Sequence, residues 1–138
     1  MYLLDTNVIS EFRKARPHGE VLAWLNQVRQ DALFVSAVSL GEIQIGIEIT
    51  REQDPRRAAE LEIWLNEIIG NYSVLAMDAA VFRIWATLMH RKPEVLTVDA
   101  IIAATAIAHD LVVVTRNVRD FRVFEVDTLN PYDTPRVP

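Results

Sequence analysis

The sequence contains no cysteine, which excludes disulfides, thiolate zinc sites and a thiol nucleophile. Its three histidines, His18, His90 and His109, form neither an HxxxH nor an HExxH spacing and so describe no zinc site. No run approaches the ~18 apolar residues that a membrane span requires. Met1 to Ser10 lack a basic n-region and carry Asp5 inside their apolar stretch, so a cleavable signal peptide is not expected. Positive charge is also in short supply. A net charge of −5 argues against a dedicated duplex-DNA binder, whose affinity comes largely from basic residues on phosphates. It leaves a nuclease open, because an acidic pocket can approach phosphate through a bound cation. Repeats, low-complexity tracts and interdomain linkers are missing too. What remains is a soluble, cytoplasmic chain with 51% apolar and 24% charged residues, an ordinary balance for a folded protein. Residues 1–138 are expected to form a single domain large enough for its own core, with an extended tail from about residue 127 that carries Pro131, Pro135 and Pro138.

Short apolar runs alternate with helical periodicities. Tyr2-Leu3-Leu4-Asp5 reads as a buried strand running into Thr6-Asn7, and Val8 to Lys14 as a short helix broken at Arg16-Pro17-His18-Gly19. Val21, Leu22, Leu25 and Val28 recur at helical spacing, and Leu33-Phe34-Val35 is a second strand. Ser39-Leu40-Gly41-Glu42 has the S-x-x-E form of a helix start, predicting a helix to about Thr50. Pro55 to Ile69 follows as a helix stopping at Gly70-Asn71, then a strand over Tyr72 to Ala76. Asp78 caps a helix to about His90, and Thr97 or Val98 opens a buried one through Ala108. Leu111 to Thr115 is the clearest strand, and another is predicted near Val123 to Val126. This alternation implies an α/β fold: a central parallel sheet between two helical layers, α/β/α. Trp24, Trp64 and Trp85 sit at core spacings and read as packing or subunit contacts.

Three acids stand at the edges of apolar elements. Asp5 directly follows a buried strand, where a charge is costly unless paired or bound to a cation, although it also suits a turn cap. Glu42 would form a capping box with Ser39, and taken alone that is the simpler account of it. Asp99 lies in the first turn of its helix, where the dipole favours a carboxylate by roughly 0.3–1 kcal/mol. Together they say more. A parallel topology turns all three toward one end, where ligands sit beyond the carboxyl ends of the strands. Unneutralised carboxylates gathered there repel one another and raise their own pKa values, a conflict that Mg²⁺ or Mn²⁺ with all-oxygen ligation resolves.

Four segments in order, Leu3-Leu4-Asp5-Thr6-Asn7-Val8, Ser39-Leu40-Gly41-Glu42-Ile43, Thr97-Val98-Asp99-Ala100-Ile101-Ile102-Ala103-Ala104-Thr105-Ala106 and Val114-Thr115-Arg116-Asn117-Val118-Arg119-Asp120-Phe121, resemble the motifs of PIN-domain toxins. The nearest group is the VapC/FitB-like ribonucleases of type II toxin–antitoxin pairs, and the similarity runs from Tyr2 to Leu129-Asn130-Pro131. The resemblance implies a PIN-like fold and a metal-dependent endoribonuclease that hydrolyses structured RNA, commonly tRNA or rRNA; in-line attack by a metal-generated hydroxide is expected to leave 5′-phosphate and 3′-hydroxyl ends. It implies Asp5, Glu42 and Asp99 as catalytic metal-binding acids for Mg²⁺ or Mn²⁺. Asn117 falls where many relatives have a fourth acid, and Asp120 is a compensating acid or a loop-fixing residue. Thr6 and Thr115 are the hydroxyls that would orient carboxylates or water. Arg13, Lys14, Arg16, Arg116 and Arg119, near the motif loops, are candidate RNA-phosphate contacts or simply solvated charge. A cognate VapB/FitA-like antitoxin, a homodimer, and DNA contact only through the antitoxin complete the implied picture.

Two other classes remain. One is an acid-pocket phosphotransfer protein, but Asn7 stands where an aspartyl phosphatase has its second Asp, and a receiver's acidic pair and late lysine are missing. The other is a non-catalytic module whose acidic pocket docks a basic peptide, an alternative that the uncharged Asn117 keeps open.

Overall fold

The computed structural model describes residues 1–133; residues 134–138, with Pro135 and Pro138 of the expected tail, lie outside the described residues. Runs of leucine and valine supply the central strands: β1 (Tyr2–Leu4), β2 (Leu33–Ser36) and β4 (Val112–Val114), flanked by β3 (Ser73–Leu75) and β5 (Thr128–Leu129). All pair in parallel in the order β3-β2-β1-β4-β5. The chain starts at the centre, builds outward through β2 and β3, and then crosses to β4 and β5. The reversal falls between β1 and β4, where Leu3 pairs with Val113 and Leu4 with Val114. Such a switch point opens a crevice at the carboxyl ends of the strands.

Helices cover both faces, so alternate strand residues reach separate cores. On one face Leu3 and Val113 pack with Ala100, Ile102 and Ala103 of α6 (Thr97–His109) and with Phe121 of α7 (Val118–Arg122); Trp85 of α5 (Ala79–Met89) lies against them. On the other, Leu4, Val35 and Val114 meet Val8 and Ile9 of α1 (Thr6–Glu11) and Trp24 of α2 (Gly19–Leu25). Helix α6 is buried from Ala100 to Ala106, as a helix apolar all round must be. The hairpin of α3 (Ala37–Gln53) and α4 (Pro55–Asn71) has its own small core of Ile47, Ala58 and Leu65, with Trp64 against it. Asp54 caps α4 through Arg57 N (3.0 Å), with Pro55 in the first turn.

Two expectations give way. The cap of α3 lies three residues before the predicted one at Ser39: Ser36 Oγ accepts from Val38 N (3.3 Å) and takes that role. Ser39 and Glu42 therefore lie within the helix, and no capping box holds the glutamate. The strand predicted at Val123–Val126 is absent. Phe121 and Phe124, three residues apart, both bury at helical spacing against α6, and Glu125 turns the chain at φ 56°. The fifth strand forms afterwards, where Val113 N donates to Asp127 O and Thr115 N to Leu129 O, both at 2.9 Å. A 3₁₀ turn at Pro131–Asp133 follows and returns the chain toward α2.

Candidate active site

Asp5 ends β1 at the switch point and opens α1 as its cap. Its backbone N–H is tied to Val114 O of β4 (2.9 Å), and its carbonyl accepts from Val8 N and Ile9 N. The side chain is only 5% exposed but well supplied with donors. Oδ1 accepts from Thr6 N (2.8 Å), and Oδ2 from Thr115 Oγ1 (2.7 Å) and Asn7 Nδ2 (3.1 Å). Burial pushes its pKa up and the charge of Glu42 adds to that, while the three donors oppose it; the net shift is upward. A carboxylate fixed this firmly, yet still short of countercharge, is set up to receive a cation.

Thr6 links the next acid to the same point. Its hydroxyl donates to Glu42 Oε1 (2.7 Å) and lies 2.9 Å from the buried Ser39 Oγ. The span of one helical turn from Ser39 to Glu42, suggestive of a cap in the sequence, instead presents both residues to Thr6.

Asp99, in the first turn of α6, is half-buried. Burial, then the charges of Asp5, Asp120 and Glu42, push its carboxyl up from 3.8 to about 6. Four carboxylates thus share one electrostatic neighbourhood, the three expected ones and Asp120 of α7. Asn117 contributes no charge; its backbone N–H donates to Thr115 Oγ1 (2.9 Å), bracing the hydroxyl that holds Asp5. The fourth negative charge near the cluster is three residues beyond it.

The expected basic residues separate into distinct environments. Lys14 is bound to the buried Glu11 (2.8 Å). Arg13 lines a cleft of about 370 Å³ with Thr6, Glu42 and Trp64, and Arg16 is exposed. Arg116 and Arg119 line another cleft with Asp120. Sequence reasoning missed Asn7, whose Oδ1 also accepts from Arg116 N (3.3 Å), and missed Glu11, Tyr132 and Arg122. Tyr132 OH lies 3.1 Å from Glu11 Oε1 and 3.2 Å from Asn7 O. A buried acid between Ile9 and Phe12 signals such a partner, but nothing in the sequence points to a tyrosine over a hundred residues away.

The donor set is entirely oxygen, which suits a hard divalent cation such as Mg²⁺ or Mn²⁺. Among the described residues, no arginine or lysine forms an ion pair with Asp5, Glu42, Asp99 or Asp120. The upward shift at Asp99 comes first from burial and then from the charges of Asp5, Asp120 and Glu42, and such a cation would offset both. No three of these side chains close into a ready-made cage among the described residues. An ion that retains several waters does not need one.

The PIN domain family model matches residues 2–126. The chain is 34% identical to VapC ribonuclease Y4jK of Sinorhizobium fredii and 32% identical to toxin FitB of Neisseria gonorrhoeae, in each case over 96% of this chain and 99% of the relative. It superposes on the crystal structure of FitAcB from Neisseria gonorrhoeae with a TM-score of 0.86 at 30% identity, covering 97% of this chain and all of that one. A structure of FitAB bound to an IR36 DNA fragment matches at a TM-score of 0.83 and 29% identity, over 99% of each chain. With the parallel sheet and its helical layers already in place, these likenesses fix the family: the chain belongs to the PIN-domain toxins of VapBC/FitAB toxin–antitoxin pairs.

Proposed function

We propose that this protein is a metal-dependent endoribonuclease that hydrolyses phosphodiester bonds in structured RNA, tRNA or rRNA, and is restrained by a VapB/FitA-like antitoxin. The observation that carries this reading is a buried, triply hydrogen-bonded Asp5 sharing its electrostatic neighbourhood with Glu42, Asp99 and Asp120. Asp5, Glu42 and Asp99 would hold Mg²⁺ or Mn²⁺, with Asp120 adding charge nearby. When bound, the ion supplies neutralisation of charge developing on the phosphate and acidification of a water.

The protein's own groups do the rest. Thr115, Asn7 and Thr6 N keep both Asp5 oxygens in fixed directions, and Thr6 orients Glu42 from the opposite side. Second-sphere hydroxyls of this kind set the geometry of a metal-binding carboxylate. Burial and neighbouring charges push the Asp99 carboxyl up to about 6, so a bound cation would favour its ionised form. An antitoxin side chain with positive charge entering this pocket would satisfy the same acids and block the site. The outer face of α3 also carries a groove of about 680 Å³ between Ile45, Ile49, Met77 and Val98. Ile45 and Ile49 are 63% and 61% exposed, an apolar face suited to a second copy of the chain in a homodimer.

Cleavage of total cellular RNA by antitoxin-free protein tests the reading. Activity should require Mg²⁺ or Mn²⁺ and vanish with chelation. Asp5→Asn should lower it by about 10²-fold or more, the scale of losing a principal charge-stabilising group, while the fold survives. Unchanged cleavage rejects the assignment, and a phosphoryl group trapped on Asp5 would move the protein to the phosphotransfer class. Mapping the cut sites identifies the RNA.

A further inference from the structure

The stretch from Arg116 to Arg122 forms a cleft of about 440 Å³ that presents Arg116, Arg119 and Arg122 around Asn117, Val118 and Asp120. All three arginines are exposed, and among the described residues none forms an ion pair. Elsewhere on this acidic chain several cations are neutralised: Lys14 by Glu11, Arg29 by Asp31, Arg51 by Glu48 and Glu62, and Arg57 by Glu60. Three arginines against one aspartate leave the cleft locally positive on a protein of net charge −5.

One of the three is already in position. The Arg116 guanidinium carbon sits 4.0 Å from the centroid of the Tyr132 ring, a cation–π stack that holds the planar fork while leaving its N–H edges open. Tyr132 is itself held, by its hydroxyl near Glu11 and Asn7 O and by an edge-on contact with His18 at 4.9 Å. Less rotamer freedom is lost when a ligand meets a side chain fixed in advance. The cleft is also joined to the acids. Arg116 N donates to Asn7 Oδ1, and Asn7 and Thr115 both hold Asp5 Oδ2. Asp120 lies in the cleft wall and in the electrostatic neighbourhood of Asp99.

We propose that Arg116, Arg119 and Arg122 form a phosphate-binding subsite that grips the RNA backbone beside the scissile bond, with Arg116 aimed by its stack on Tyr132. This rests on the ribonuclease reading and adds to it a direction for the strand, which leaves the acids over α7. Bidentate guanidinium contacts suit phosphodiester oxygens, and the site reads backbone rather than base. It therefore supplies affinity without sequence choice.

The test is fluorescence anisotropy with a short, nuclease-resistant phosphorothioate RNA in Ca²⁺, across a salt series, on antitoxin-free protein. Arg119→Ala/Arg122→Ala should weaken binding about 10-fold or more and flatten the salt slope by about 1.4, at roughly 0.7 for each single-strand phosphate that is no longer gripped. Arg116→Lys, which keeps the charge but not the fork, should fall between that variant and the parent. Arg29→Ala, remote and ion-paired with Asp31, should match the parent. Equal melting temperatures confirm that these exposed substitutions leave the fold alone. Parental affinity and slope in the double variant overturn the subsite, as does a parent that binds no RNA. Displacement of the RNA by polyglutamate as effectively as by unlabelled RNA also overturns it, in favour of an acidic-peptide site. Cleavage separates the two readings. Cutting that persists with unaltered binding in the double variant removes the subsite and keeps the nuclease; weakened binding in the double variant of a parent that never cuts does the reverse.

Discussion

The two halves of the acid cluster are built differently. In one half, Asp5 at the end of β1 and Glu42 within α3 are held by Thr6, Asn7 and Thr115 at 2.7–3.1 Å. In the other, the carboxylates of Asp99 and Asp120 accept no hydrogen bond among the described residues. The first half has its geometry before any ligand arrives. The second has charge without partners, and Asp99 shows the consequence in a carboxyl pushed to about 6. Asp120 is exposed, whereas the half-buried Asp99 carries its charge partly out of water without a donor, so it is the acid that gains most from a cation. Rigidity is placed where direction matters, and electrostatic tension where a ligand is to be attracted.

The largest test of this contrast is to titrate the metal-free protein. An acid whose folded pKa is raised holds its proton in the folded state at pH values where the unfolded chain has lost it. Stability should therefore rise as pH falls from 7 through 6 toward 4, by Asp99's contribution. Mg²⁺ should act oppositely, raising the melting temperature strongly at pH 7.5 and little at pH 5, because protons compete for the same oxygens. Asp99→Asn should raise the metal-free melting temperature at pH 7.5 by a few degrees and remove most of the Mg²⁺-dependent increment. Differential scanning calorimetry with and without Mg²⁺ measures both. A difference between the parent and Asp99→Asn that stays flat with pH would place the tension elsewhere.

The first half is probed by Thr115→Val, which keeps the shape and deletes the donor to Asp5 Oδ2. Affinity for Mg²⁺ should fall about 10-fold, the low end of second-sphere losses, with the apparent pKa of Asp5 moving further up as one opposing hydrogen bond disappears. Isothermal titration at two pH values checks it, since the deficit should grow as pH falls. An equal loss at both pH values would mean that Thr115 sets position alone and leaves the proton affinity untouched.

Much of this is legible in the sequence, for identifiable reasons. Asp5 is visible because a charge after Tyr2-Leu3-Leu4 contradicts its surroundings, and Asp99 because a lone acid opens a run of alanine and isoleucine. The parallel sheet follows from short apolar strands separated by helices. Glu42 is legible only in company, since Ser39 offers it a helix cap; the cap belongs to Ser36, one turn earlier, and a hydrogen bond at that range cannot be placed by spacing alone. Phe121 and Phe124 override the β-propensity of Val123 and Val126 by burying on one side of a turn. Hidden altogether are the contacts that the fold makes across more than a hundred residues: Thr115 to Asp5, Arg116 to Asn7, Tyr132 to Glu11. Those depend on β4 lying beside β1, a tertiary fact.

The smallest effect is expected at the outer end of the rigid half, where Tyr132→Phe keeps the ring beneath Arg116 and removes only the hydroxyl. Burial pushes the Glu11 carboxyl up, but hydrogen bonds from Lys14, His18 N and Tyr132 outweigh this and hold it below 4.5. A lowered folded pKa means stability present above the unfolded value and lost as pH falls through the folded one. Removing one of its donors should therefore cost about 0.5–1 kcal/mol near neutral pH, and the deficit should shrink as pH falls and Glu11 takes up a proton. Urea unfolding of both proteins across a pH series from 7 downward measures this. A deficit that stays constant across the acid limb would assign the hydroxyl to Asn7 O rather than Glu11, making Tyr132 a brace for the active-site loop itself and extending the rigid half by one residue.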